Sequence, residues 1–148
     1  MKFLKLIFLM IILTTDISAE DRKETIEKLT KKIVQTEYKS VSEIIISIAV
    51  LESAWFQSKR HKEFNNYFSI KDWKHKKCSR QPIYCLKQFS SIDENLDFMI
   101  NYFREKGFPT EKESFIRHLK KVNYAEDELY EKKLRAVEKS LRRIRRKS

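Results

Sequence analysis

The sequence predicts a mainly helical domain, α+β in class, with one small β-hairpin lobe. Apolar residues recur at helical three- and four-residue spacing over most of the chain, and two capping boxes mark helix starts. One stretch, Ser69 to Phe89, loses that period and alternates aromatic, basic and cysteine residues, as a small hairpin does. At 148 residues the chain has room for one domain with one modest core.

The elements follow in order. Lys2 and Lys5 precede an apolar run from Leu6 to Leu13, and Ile17-Ser18-Ala19 offers a cleavage site before Glu20. Residues 1–19 therefore read as a signal peptide and 20–148 as the exported domain, placed in the periplasm or outside the cell. The run is short of the ~20 apolar residues a membrane span needs, and an uncleaved anchor is the competing reading. The first helix is expected over Arg22–Tyr38, with Ile26, Leu29, Ile33 and Val34 as its apolar stripe. The second, Ser42 to Glu52, is apolar on more than one face through Ile44, Ile45, Ile48, Ala49 and Leu51, which marks a buried central helix. Its run Ile44-Ile45-Ile46 would also suit a strand; the flanking length, together with the family likeness described below, favours helix.

Beyond the hairpin stretch, Ser91-Ile92-Asp93-Glu94 is a capping box that opens a helix through Phe103 or Arg104. Gly107 and Pro109 break the chain, and Thr110-Glu111-Lys112-Glu113 is a second capping box, whose helix turns Phe115, Ile116 and Leu119 inward. The last helix, Asp127–Arg146, sets Tyr130, Leu134, Val137, Leu141 and Ile144 at four- and three-residue steps as a core stripe.

Charge and cysteine content narrow the partners. The chain carries 32 Lys+Arg against 21 Asp+Glu, a net +11, and Lys139 to Lys147 contains no acid. Such an end either solvates a helix terminus or attracts an anionic polymer or membrane surface. An exported protein seldom meets nucleic acid, so the wall or membrane takes the weight. In an oxidising compartment Cys78 and Cys85, with six residues between them, read as a disulfide contributing about 2–3 kcal/mol on the chain-entropy model. A zinc site from His61, His75, Cys78 and Cys85 is the rival, with a spacing that fits no standard zinc knuckle.

The residue that stands out is Glu52, an acid delivered by an apolar helix beside Trp55. It is either a surface-facing acid of an amphipathic helix or a carboxyl held against apolar groups for chemistry. The surrounding pattern favours the second. Leu51-Glu52-Ser53-Ala54-Trp55 and Phe64-Asn65-Asn66-Tyr67-Phe68-Ser69-Ile70-Lys71 resemble the glucosaminidase family of bacterial peptidoglycan hydrolases, which includes Bax-like and flagellum-associated wall hydrolases and reads roughly ALESGWG, then NNLFGIK. Phe89-Ser90-Ser91 with Glu94, Asp97 and Tyr102 is similar to a third family segment. Asn123-Tyr124-Ala125-Glu126-Asp127 with Tyr130 and Lys133-Leu134 is similar to its closing GYATDPxYAxKL. The likeness spans about residues 25–140, in the family's order. Ser69, Phe56 and Asn123 stand where the family has Gly, so any left-handed backbone there must be carried by a residue with a side chain.

The resemblance implies a lysozyme-like fold, peptidoglycan glycan strands as substrate, and cleavage of the β-1,4 bond after N-acetylglucosamine with no metal or organic cofactor. It implies that Glu52 is the catalytic acid and that Tyr124 is the cleft tyrosine that orients substrate or stabilises charge. Asn66 and Phe68 would shape the cleft floor, and Tyr67 would add aromatic surface to it. From the residues themselves, a turn Asn such as Asn66 either bonds its own backbone or reaches the sugar, and Trp55 either stacks on a sugar face or packs in the core. Tyr130, on the core stripe, reads as the more structural tyrosine. Hydrolysis usually employs a second carboxylate, yet no acid lies between Trp73 and Gln88, and Asp72 and Glu63, the nearest candidates, also read as ordinary solvated acids. The alternatives to a second carboxylate are the substrate's own N-acetyl group and water held without a strong base. That gap leaves a rival: a glycan-binding protein that has lost turnover. A second rival is a basic protein acting on membrane or nucleic acid through its C-terminus.

Overall fold

The structure, a computed structural model, describes residues 19–72 and 85–146. Six helices account for most of it: α1 (Ala19–Ile33), α2 (Ser42–Glu52), α3 (Lys59–Glu63), α4 (Ile92–Glu105), α5 (Lys112–Lys121) and α6 (Tyr130–Arg146). A 3₁₀ turn, Glu37–Val41, joins α1 to α2.

Helix α2 is the centre. Its residues Ile44, Ile45, Ile46, Ile48, Ala49 and Val50 are all buried, so its sequence carries no polar stripe. It packs chiefly on α6, which contributes Leu134, Val137 and Leu141, and on α1, which contributes Ile26, Leu29 and Ile33. Each such side chain removed from water stabilises the fold by about 1.5–3 kcal/mol before ordering costs. A second part of the core is aromatic, with Phe103 at 5.1 Å from Phe115 and 4.9 Å from Phe108 in ring-centroid distance.

Several boundaries differ from the sequence expectation for identifiable reasons. Helix α1 stops at Ile33 rather than Tyr38, because the Thr36 hydroxyl accepts from the Tyr38 N–H and caps the next turn. Val34, placed in the apolar stripe, is consequently 45% exposed. Helix α5 is capped by the Glu111 carboxylate, which accepts from the Glu113 and Ser114 N–H groups, and not by Thr110. Helix α4 starts as expected, with Ser91 Oγ accepting from Glu94 N–H, while the Glu94 carboxylate reaches Ser90. Ile144 ends the α6 stripe in solvent, at 42% exposed. Between α2 and α4 lies the short helix α3.

The expected β-hairpin lobe is not seen. Among the described residues its one trace is an isolated antiparallel bridge between Lys71 and Leu86, with Asp72 N–H donating to Cys85 C=O at 2.6 Å. Residues 73–84, which would form the body of the hairpin, lie outside the described residues, and with them His75, Cys78 and the expected Cys78–Cys85 pairing. Cys85 itself is buried.

Candidate active site

Glu52 is the last residue of α2, and the turn after it is bent by an unusual backbone. Ala54, Trp55 and Phe56 have φ of 52°, 59° and 62°, three successive left-handed residues without a glycine among them. The turn is held by Trp55 N–H donating to Val50 C=O at 2.8 Å and by Phe56 N–H donating to Ser53 Oγ at 3.0 Å. It buries Phe56 against Tyr67 (centroids 5.3 Å apart) and leaves Glu52 half-buried at the edge of the core.

An open cleft of about 800 Å³ lies beside Glu52. Phe68, Ser69, Ile70 and Lys71 line it from the segment after α3. Phe98, Met99 and Tyr102 come from α4, and Asn123, Tyr124, Ala125 and Glu126 from the connection between α5 and α6. Burial pushes the Glu52 carboxyl above the usual carboxylate range. The Tyr130 hydroxyl, Ser69 and the charge of Lys71 oppose that shift without cancelling it.

The structure sorts the sequence-predicted residues. Tyr124 and Phe68 line the cleft with Glu52. The Tyr124 ring stands 6.2 Å from Tyr102 and 5.9 Å from Tyr130, and burial with the nearby Glu52 charge pushes its hydroxyl well above its ordinary value. Among the described residues that hydroxyl has no hydrogen-bond partner, which leaves it available to a ligand. Asn66 is fully buried and faces away from the cleft. Its side chain donates to Ile70 C=O and Lys87 C=O, both at 2.8 Å, and accepts from Ile70 N–H at 3.0 Å. It therefore builds the cleft wall and touches no substrate space. Tyr67 packs on Phe56, with its N–H held by buried Asn95 at 2.9 Å. Trp55 does not reach the cleft: it lines a separate groove with Ile26 of α1 and Ile144 of α6. Of the proposed second acids, Glu63 pairs with Lys59 at 3.8 Å, and neither it nor Asp72 lines the cleft.

Two contacts escaped the sequence reading. Tyr130, expected as a core residue, donates its hydroxyl to Glu52 Oε1 at 2.9 Å. Its place in the closing motif was a signal, but the four- and three-residue stripe of α6 explained it equally well. The other contact is at Ser69, in the left-handed region with φ 54°. Its hydroxyl donates to the Glu52 main-chain carbonyl at 3.1 Å and sits 2.7 Å from His61 Nε2, whose Nδ1 lies 2.6 Å from Ser58 Oγ. With the Ser69 proton on the carbonyl, the ring donates from Nε2 and accepts at Nδ1. Burial lowers the His61 pKa, with Arg60 and Lys71 adding to the effect, so the neutral ring is favoured.

A half-buried carboxyl whose hold on its proton is strengthened by burial, bonded to a phenol and opening on a cleft, can protonate the leaving oxygen of a bound glycoside. A search of the curated proteins and one of the solved structures each gave no significant match. The family model described as mannosyl-glycoprotein endo-beta-N-acetylglucosaminidase matches residues 29–143, and the chain belongs to this glucosaminidase family, a family of glycoside hydrolases acting on glycans.

Proposed function

We propose that the protein is an exported peptidoglycan hydrolase that cleaves the β-1,4 bond after N-acetylglucosamine, with Glu52 as general acid. The observation that carries this reading is the Glu52 carboxyl, raised by burial and bonded to Tyr130, at the edge of a cleft wide enough for sugar units. Glu52 donates its proton to the glycosidic oxygen as the C1–O bond breaks. Tyr130 holds the carboxyl in register and, once the proton has left, stabilises the carboxylate by the same bond. Tyr124 offers its unpartnered hydroxyl to the substrate beside the breaking bond. Asn66 acts through the backbone, by fixing the turn that carries Phe68 and Ser69.

Export is part of the proposal. The apolar Leu6–Leu13 run serves as a signal, Cys85 pairs with Cys78, and the basic C-terminal end draws the domain to anionic wall or membrane. One observation is compatible with the pairing: among the described residues no cysteine is free.

Digestion of purified peptidoglycan by residues 20–148, followed by reduction and mass spectrometry, tests the bond assignment. New reducing ends at N-acetylglucosamine are expected. Ends at N-acetylmuramic acid would move the assignment to the other bond, and intact glycan that co-sediments with the protein would favour the binding-protein reading. That second reading draws on one observation, the lack of any acid in the sequence from 73 to 84.

A further inference from the structure

Hydrolysis of a glycoside usually employs a group that activates water, and its identity in this chain is open after Glu63 and Asp72 are set aside. The segment between Asp72 and Cys85, where a lobe-borne carboxylate would sit, contains no Asp or Glu. Only two acids line the cleft among the described residues, Glu52 from the end of α2 and Glu126 from the α5–α6 connection. Glu126 is exposed and makes no hydrogen bond or ion pair among the described residues. Its neighbour Asp127 is fully committed, accepting from Leu129 N–H at 2.8 Å and pairing with Lys133.

The backbone that carries Glu126 is fixed from both sides. Asn123 N–H donates to Lys120 C=O at 3.1 Å and Tyr124 N–H to Leu119 C=O at 3.0 Å, with Asn123 in the left-handed region at φ 53°. Downstream, Tyr130 N–H donates to Asp127 C=O at 2.9 Å. The same short connection therefore places Tyr124 and an unpaired carboxylate on the cleft, while Tyr130 at its far end binds Glu52.

From this juxtaposition we infer that Glu126 is the second catalytic carboxylate, the base that activates the attacking water, supplied by the α5–α6 connection rather than by the lobe; the inference rests on the hydrolase reading above. Glu52 gives its proton to the leaving oxygen, and the C1–O bond breaks. Water oxygen bonds to C1 as its proton passes to Glu126. Proton exchange with solvent then resets both carboxyl groups. Attack by free water from a separate wall of a wide, open cleft inverts the anomeric centre, so the first product is the α anomer.

The test uses the oxidised domain, residues 20–148, with Glu126→Gln and Glu126→Ala assayed on soluble glycan fragments with and without sodium azide. Both variants should keep the parent thermal midpoint, because the side chain has no partner to lose. Each should lose about 10²-fold or more in kcat with little change in KM. Azide should restore the rate of Glu126→Ala and yield an α-glycosyl azide, and NMR of fresh wild-type product should show the α anomer. Activity of Glu126→Gln within fivefold of the parent overturns the inference, as does a loss confined to KM, a loss that azide does not rescue, or a β-configured first product. An inert parent protein overturns the hydrolase reading itself and this assignment with it, which separates that failure from a failure of Glu126 alone.

Discussion

Glu52 is held between two opposing demands. Burial favours its protonated form, which the proposed chemistry needs, while the Tyr130 hydroxyl favours the carboxylate that proton transfer would leave. Removing the phenol should therefore move the alkaline limb of the kcat–pH profile upward, because a force that lowers the Glu52 pKa is lost. Tyr130→Phe should show that shift together with a rate loss of about tenfold or more; an unmoved limb would mean that the bond does not act on the acid. The same burial has a cost in stability. The folded-state pKa of Glu52 lies above its unfolded value of about 4.3, so the protein loses stability as pH rises from there through the folded pKa. Glu52→Gln, which never ionises, should be more stable than the parent by on the order of 1 kcal/mol at pH 8, with the gain vanishing below pH 4. Denaturant titrations at the two pH values check it.

Among elements, the turn from Asn65 to Lys71 does the most positioning. Asn66 closes it with three side-chain bonds from a fully buried site. Asn66→Ala strands buried partners and should cost about 2–4 kcal/mol by denaturant melts, with activity falling alongside. Much of this scale was legible in the sequence. The Ser91 cap and the inward face of α5 follow from period and capping chemistry alone, and helix α2 from its length together with the family likeness. The strain was legible only through that likeness: Phe56, Ser69 and Asn123, which stand at family glycine positions, have φ of 62°, 54° and 53°. What escaped depends on tertiary contact. Local chemistry offers an Asn66 amide bonded within its own turn as one of two readings, but no local pattern tells that Trp55 turns toward α1 and α6, or that one tyrosine of a core stripe reaches back to an acid 78 residues earlier.

At the scale of the molecule, α6 joins core and surface. Its buried stripe packs on α2. Of its basic residues, Arg142 pairs with Glu43 at 3.0 Å and with Glu138 at 2.6 Å, and Arg145 reaches Glu43 at 3.7 Å. These arginines hold α6 to α2, which leaves Lys139, Arg143 and Arg146 exposed for an anionic surface. Replacing those three with Ser should weaken co-sedimentation with wall several-fold at low salt and hardly at all at 0.5 M salt, because screening removes the attraction. Turnover of short soluble glycans should stay unchanged. Equal binding at low salt would place the basic end outside wall attachment.

The central claim is that this cleft breaks glycosidic bonds with the proton of Glu52. Its most direct test is parallel digestion of purified peptidoglycan by the parent and Glu52→Gln domains, with reducing ends counted over time at neutral pH. The account predicts that the parent releases new ends and that Glu52→Gln, folded and still bound to the wall, is slower by about 10²-fold or more. Equal release by both proteins would contradict it.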